Sequence, residues 1–212
     1  FGFLVGGAKV SRCVGCGVER LAEEFCLPDT SYSNSTYREK LRQRPEVDDY
    51  LKTHDHLQIH TLNVCRKYLK KNQTIVDVGC AGGSLLNHLK PYASEMIGIE
   101  PCNIYHQKLE AEGYYVYENL EKAVTTWKNK AQLALSIHVV EHVSNPRTFL
   151  EKIHELMAPG GWLILATPNR RDALMDILPD EYKKFFYRVV HRWYFDAASL
   201  EKCAKKSGWK LE

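Results

Sequence analysis

Short apolar runs alternate with amphipathic stretches along most of this chain. From about Val47 to Leu69 apolar residues recur at helical spacing, with Leu62, Cys65 and Leu69 on one face. A first apolar strand, Thr74 to Val78, is followed by a helix from Ser84 to Leu89. A second strand, Met96 to Ile99, precedes a helix from Cys102 to Ala111 that Gly113 closes. Tyr114 to Tyr117 reads as a third strand and Leu120 to Trp127 as a short helix. The fourth strand, Gln132 to Ile137, leads to a helix opened by Asn145-Pro146 as cap and first turn. Phe149, Leu150, Ile153, Leu156 and Met157 form its buried stripe, and Gly160 stops it. Trp162 to Ala166 is a fifth strand. Asp196 caps a last helix carrying Leu200, Cys203 and Ala204, stopped by Gly208. Gly208 to Leu211 reads as the start of a further strand, so the C-terminal strands are expected to be truncated. Strands alternating with helices predict an α/β fold: a doubly wound, mainly parallel sheet with helices on both faces.

The sequence divides into a short Cys-containing N-terminal segment (1–28), a polar loop and helical cover (29–72) and a core (73–212). The core holds the most informative stretch, Ile75 to Ser84, in which an apolar run ends in Asp77 and a loop of small residues follows. Small residues let the backbone turn sharply and lie against a ligand. Twenty-one residues beyond Gly79, the second strand ends at Glu100. An acid at the end of the second strand of a βαβ unit is placed to hold a ribose by its hydroxyls. A dinucleotide site asks for G-x-G-x-x-G, whereas Asp77 here precedes the first glycine. That carboxylate repels a pyrophosphate and suits a cationic amino-acid group, which disfavours a nicotinamide oxidoreductase.

At this point the stretch resembles the first motif of the class I S-adenosylmethionine (SAM) methyltransferases, with Ala81 where glycine is usual. The resemblance widens over Ser136 to Pro146, over Leu156 to Asn169 and over His191 to Asp196. Together these are similar to the ubiquinone-type and polysaccharide-associated small-molecule branch. The resemblance implies a Rossmann-like fold with SAM as cofactor. Asp77, Gly79 and Gly83 then face the methionine end, Glu100 the ribose, and Asn119 and Leu120 the adenine. Cys80, Ala81, Pro101 and His138 complete the expected cofactor contacts. Gln132 stands where aspartate is common and is expected to be structural.

His138, Glu141 and His142 follow the fourth strand, at the edge where open α/β sheets bind ligands. The spacing H-x-x-E-H matches an inverted zinc-peptidase motif. That motif needs a long helix, and Asn145-Pro146 opens a new one three residues after His142, so we reject it. Relatives that bind a divalent ion here offer Glu, Glu and His, and His138 replaces the first glutamate. The favoured reading has Glu141 and His142 bracing the loop while His138 faces substrate as a general base near neutral pH. His191 is the other candidate base, and Tyr194 is expected to orient the acceptor. His54, His56 and His60 read as a solvated or substrate-facing helix, and Tyr32, Tyr37 and Tyr50 as lining of the acceptor pocket.

Cys13 and Cys16 have zinc-ribbon spacing, although a ribbon needs four ligands. Zinc on this pair is therefore an expectation of half a site. The seven cysteines otherwise sit mostly in apolar patterns, which suggests reduced thiols and a cytoplasmic setting. A net charge of +3, with basic residues scattered, gives no reason to invoke nucleic acid. No apolar run is long enough to span a bilayer. The sequence thus predicts a SAM-dependent methyltransferase acting on a hydroxyl of a small molecule, first a sugar or sugar nucleotide. A metal-assisted enzyme for a quinone-like or phenolic acceptor is the alternative, and a non-catalytic binding domain of the same fold is the rival from another class.

Overall fold

The computed structural model describes residues 2–5, 8–33, 47–188 and 190–212. Its strands, in chain order, are β1 (Gly2–Val5), β2 (Ala8–Arg12), β3 (Glu19–Leu21), β4 (Gln73–Val78), β5 (Ala93–Ile99), β6 (Tyr115–Tyr117), β7 (Ala131–Ile137), β8 (Met157–Ala166) and β9 (Trp193–Tyr194). The chain forms two compact units. One gathers Thr30–Ile137 and Glu155–Leu165; the other gathers Phe1–Asp29, His138–His154 and Ala166–Glu212. These units cut across the linear division 1–28, 29–72 and 73–212. Among the described residues no helix is long and apolar enough to cross a membrane.

The first unit holds a five-stranded sheet in the order β6-β5-β4-β7-β8. β4 pairs in parallel with both β5 and β7, and β5 pairs in parallel with β6. The chain therefore builds outward from β4 to one side and then restarts on the other. Sheets of this kind bind ligands outside the carboxyl ends of the strands, where that reversal opens a crevice. β4 is buried at all six positions, as a strand covered on both faces must be. Ile75, Leu85, Leu86, Leu89, Leu109, Leu133 and Leu135 form the core beside it. Each such side chain contributes about 1.5–3 kcal/mol by leaving water.

Two differences from expectation in this unit have a visible physical cause. The helix expected from Val47 to Leu69 is broken into α-helices Val47–His54 and Gln58–Cys65, with a 3₁₀ turn at Asp55–Leu57 between them. His54 Nδ1 lies 2.9 Å from the Tyr50 carbonyl, so the ring competes with the backbone for it. Asp55 Oδ1 also accepts from Ser84 Oγ at 2.8 Å. The second difference is that β8 begins at Met157, inside the expected helix, and runs through Gly160. The carbonyls of Glu155 and Leu156 accept from Asn129 N and Lys130 N, both at 2.9 Å, which satisfies the end of the preceding helix there. Gln132 is structural in this unit: its Oε1 accepts from Thr74 N at 2.6 Å.

The second unit holds an antiparallel sheet in the order β1-β2-β3-β9. The N-terminal segment is thus paired with a strand from far along the chain, through Glu19↔Tyr194 and Arg20↔Trp193. Ala8, Val10, Leu21, Phe186 and Tyr194 make its core. Arg170 bonds to Asp196 and stands 3.5 Å from Glu19, while Tyr187 donates to Glu19 at 2.7 Å. Asp196 caps helix Ala197–Lys206 through a capping box with Ser199. The expected strand from Gly208 is absent, and residues 209–212 carry no helix or strand. The Trp209 indole instead donates to the Leu150 carbonyl at 3.1 Å.

Candidate functional site

In the first unit the loop after β4 is built as its small residues require. Gly79 and Gly83 hold φ of 83° and 81°, in the left-handed region that a Cβ disfavours. At Gly83 a Cβ would also stand 2.5 Å from Leu109 Cδ2. Gly79 N and Cys80 N both donate to the Ile99 carbonyl, at 2.7 and 3.3 Å, which pins the loop to the end of β5. Ala81 is left-handed as well, with φ of 47°. The departure from glycine at this position therefore costs backbone strain, about 1–2 kcal/mol for an L-residue.

Glu100 ties the loop from the other side. Its Oε2 accepts from Ala81 N at 2.8 Å and its Oε1 from Cys102 N at 2.9 Å. These two amide bonds fix the plane of its carboxylate. Asp77 is buried. Burial, with the Glu100 charge adding to it, pushes its carboxyl up to about 7. A cationic group placed beside it would reverse that shift. Asn119 acts locally, because its Oδ1 accepts from Lys122 N at 2.9 Å and caps helix Leu120–Trp127. Leu120 is buried and Pro101 exposed. His106, which sequence reasoning missed, brings Nε2 to 2.7 Å from the Glu100 carbonyl. No spacing signal marks it, because it serves a backbone atom.

The second unit brings together His138, Glu141, His142 and His191. His138 takes a left-handed φ of 57°, rare outside glycine, and donates its N–H to the Ala166 carbonyl at 2.9 Å. Its ring is largely exposed, with Nδ1 3.5 Å from Glu141 Oε1. Glu141 is 1 % exposed; its Oε2 accepts from Thr167 Oγ1 at 3.0 Å, whereas its buried Oε1 has no hydrogen-bond partner. Burial raises the Glu141 carboxyl, but the adjacent His138 ring and the nearby His142 outweigh it and hold the group below its ordinary range. His142 Nδ1 donates to the Val190 carbonyl at 2.8 Å, and its Nε2 lies 3.9 Å from Glu141 Oε1. Burial lowers His142, and burial with the His142 charge lowers His191 to about 4. Ligand atoms of Glu141, His142 and His191 lie within 4.8 Å of one another. This is a donor set of one carboxylate and two imidazoles, the chemistry a divalent cation takes.

Tyr194 packs with Ala8, Val10, Leu21 and Phe186 in the core of its unit. It is 2 % exposed, its hydroxyl donates to the Arg188 carbonyl at 2.8 Å, and burial raises its pKa. Cys13 and Cys16 lie in one turn of the same unit, closed by Gly17 N donating to the Cys13 carbonyl at 2.9 Å. Among the described residues no third donor completes a ligand group with them, so the pair offers two of the four ligands of a structural zinc. Among the described residues His54, His56 and His60 form no ligand group either. Tyr50 packs on His54 and Tyr105, and Tyr37 lies outside the described residues.

Comparison with known proteins places this arrangement. A family model described as a methyltransferase domain matches residues 50–212. The ubiquinone biosynthesis O-methyltransferase of Cereibacter sphaeroides is 37% identical over 128 residues, 56% of this chain and 52% of that protein. Its namesake from Rhodopseudomonas palustris is 28% identical over 155 residues, 65% of this chain and 61% of that protein. The chain thus spans between half and two thirds of the length of these relatives. Among solved structures, a SAM-dependent methyltransferase from Archaeoglobus fulgidus aligns with a TM-score of 0.60 at 18% identity, covering 82% of this chain and 73% of that one. The [4+2]-cyclase SpnF aligns with a TM-score of 0.56 at 18% identity, covering 73% and 56%. At such identities the likeness carries the Rossmann-like fold and leaves the reaction to the site.

Proposed function

Because the chain belongs to the methyltransferase domain family, we propose that it transfers a methyl group from SAM to a hydroxyl of a small molecule. The carrying observation is the loop in which Asp77 and Glu100 stand at the ends of adjacent strands with Gly79 and Gly83 between them. In this reading Asp77 meets the cationic amino group of SAM and Glu100 the ribose. The sulfonium supplies an activated methyl group, so the protein has to align donor and acceptor and remove a proton. His138, with an exposed ring directly after β7, is the base we assign. The acceptor we favour is a phenolic or quinone-like ring, supported by the names of the two relatives, over the saccharide expected from the sequence. Isothermal calorimetry tests the core of the reading. SAM should bind the purified chain, and Glu100→Ala should weaken it by about 1–3 kcal/mol through lost charge-assisted hydrogen bonds. Equal affinity in wild type and variant removes Glu100 from the site. A reducing, cytoplasmic setting belongs to the same reading, with all seven thiols free.

A second reading is favoured by the ligand atoms of Glu141, His142 and His191, which lie within 4.8 Å of one another. Glu141, His142 and His191 would hold a divalent ion, which as a Lewis acid would ease deprotonation of the acceptor hydroxyl. Activity should then fall on chelation and return with Mg²⁺ or Zn²⁺. Activity indifferent to EDTA leaves the proton to His138. Zinc at Cys13 and Cys16 is not part of this proposal, since two thiolates are half a site.

A further inference from the structure

With Glu100 read as the ribose ligand, on which this step depends, we propose that His106 is a positioning residue for the methyl donor. By holding the Glu100 carbonyl, it sets the angle at which the Glu100 carboxylate is presented. The need for such a contact follows from where the sheet ends. Glu100 N donates to the Tyr117 carbonyl at 2.9 Å, and β6 stops at Tyr117, so the chain leaves the sheet here. Glu100 is buried, and a buried carbonyl costs free energy unless it accepts a hydrogen bond. Pro101 follows it and has no N–H to offer.

His106 supplies the missing donor. Its Nε2 lies 2.7 Å from the Glu100 carbonyl oxygen, and since a carbonyl only accepts, Nε2 carries the proton. The 3₁₀ turn Asn103–Tyr105 brings the ring back toward β5, with His106 N bonded to the Asn103 carbonyl. His106 opens the helix His106–Ala111 and is half-buried. Tyr105 before it and Leu109 one turn after it are both in the core, so the ring is carried by an anchored element.

The bond acts on the carboxylate through the backbone. The Glu100 carbonyl belongs to the planar peptide that joins Glu100 to Pro101, so turning that plane swings Cys102 with it. Cys102 N is the donor to Glu100 Oε1 at 2.9 Å, opposite Ala81 N on Oε2 at 2.8 Å. Holding the peptide plane therefore holds one of the two amides that orient the carboxylate. Two hydroxyls on adjacent ribose carbons meet one carboxylate only over a narrow range of orientations. A carboxylate already held in that range loses less freedom on binding. Loss of the imidazole should thus cost affinity for the part of the donor that Glu100 touches and spare the rest.

The test is calorimetry of the full chain with S-adenosylhomocysteine and with its 2′,3′-dideoxy analogue, which lacks both ribose hydroxyls. His106→Ala should weaken S-adenosylhomocysteine about 3- to 10-fold, the loss of one hydrogen bond. The same variant should bind the dideoxy analogue within about twofold of wild type, since no hydroxyl is left to orient. His106→Gln, with an N–H donor at similar reach, should restore the affinity; His106→Asn, one bond shorter, should behave as His106→Ala. The readout is the ratio of two affinities within one protein, and partial unfolding lowers both alike. In a Glu100→Ala background, removing His106 should change S-adenosylhomocysteine binding by less than about twofold, because the group it positions is gone. Equal weakening of both ligands by His106→Ala overturns the proposal in favour of plain structural support, as do additive losses in the double variant. Weakened Glu100→Ala beside unaffected His106→Ala overturns this proposal alone. Glu100→Ala with wild-type affinity overturns the ribose reading on which it depends.

Discussion

Asp77→Asn tests how the cofactor loop spends its electrostatic energy. In the ligand-free protein burial, helped by Glu100, raises the Asp77 carboxyl from 3.8 to about 7. The folded state therefore keeps a proton between about pH 4 and 7 that the unfolded chain has released. Folding takes up a proton in that window, so stability falls as pH rises through it and levels off above pH 7. A shift of about three units corresponds to roughly 4 kcal/mol at most. Asparagine keeps the shape of the protonated acid and cannot ionise. Urea unfolding followed by circular dichroism should find the two proteins alike near pH 4. At pH 8 Asp77→Asn should be the more stable by up to about 4 kcal/mol. Adding SAM should invert the ranking, because its amino group draws the proton off. Calorimetry at pH 6 in buffers of different ionisation enthalpy should register proton release on binding by wild type and none by Asp77→Asn, with affinity of the variant lower by about 1.5–3 kcal/mol. Stability profiles that run parallel from pH 4 to pH 8 would refute the reasoning.

Gly83→Ala should destabilise the first unit by about 1–3 kcal/mol, since the new Cβ meets the buried Leu109 at a residue with φ of 81°; an unchanged denaturation midpoint would contradict the turn geometry. His138→Ala should lower turnover roughly 10²-fold with little change in SAM affinity, measured by steady-state kinetics beside calorimetry. His191→Ala is its comparison, and loss of turnover there alone would move the proton transfer to His191 or to the donor set it completes.

The parts of this molecule that were legible in the sequence are those where chemistry leaves few residue choices. A buried parallel strand calls for a mostly apolar run, and Ile75, Val76 and Val78 supply one around Asp77. A loop with left-handed residues calls for glycine, and Gly79 and Gly83 supply it. The acid at the end of β5 could be placed because one strand and one helix fix its distance from the loop. The antiparallel sheet was not legible. β9 is two residues long, Trp193-Tyr194, and two residues have no periodicity to read. Its partner β3 lies more than 170 positions earlier in the chain. The burial of Tyr194 was not legible for the same reason, since an aromatic before a capped helix looks alike whether it faces a ligand or a core.

The donor set around Glu141 shows why the rest needed coordinates. Glu141 and His142 are adjacent in sequence, but His191 joins them by long-range backbone pairing. The Glu141 carbonyl accepts from Arg192 N at 2.8 Å and from Trp193 N at 3.1 Å, and His142 reaches the Val190 carbonyl. The residue that offers the carboxylate thus also anchors, through its main chain, the segment that delivers the second imidazole. A substitution at Glu141 changes the ligand and leaves that carbonyl in place. Glu141→Gln should therefore keep His191 where it is while removing the charge that a cation would need. Side-chain identity and backbone placement are separable at this residue, and the metal-assisted reading rests on the first alone.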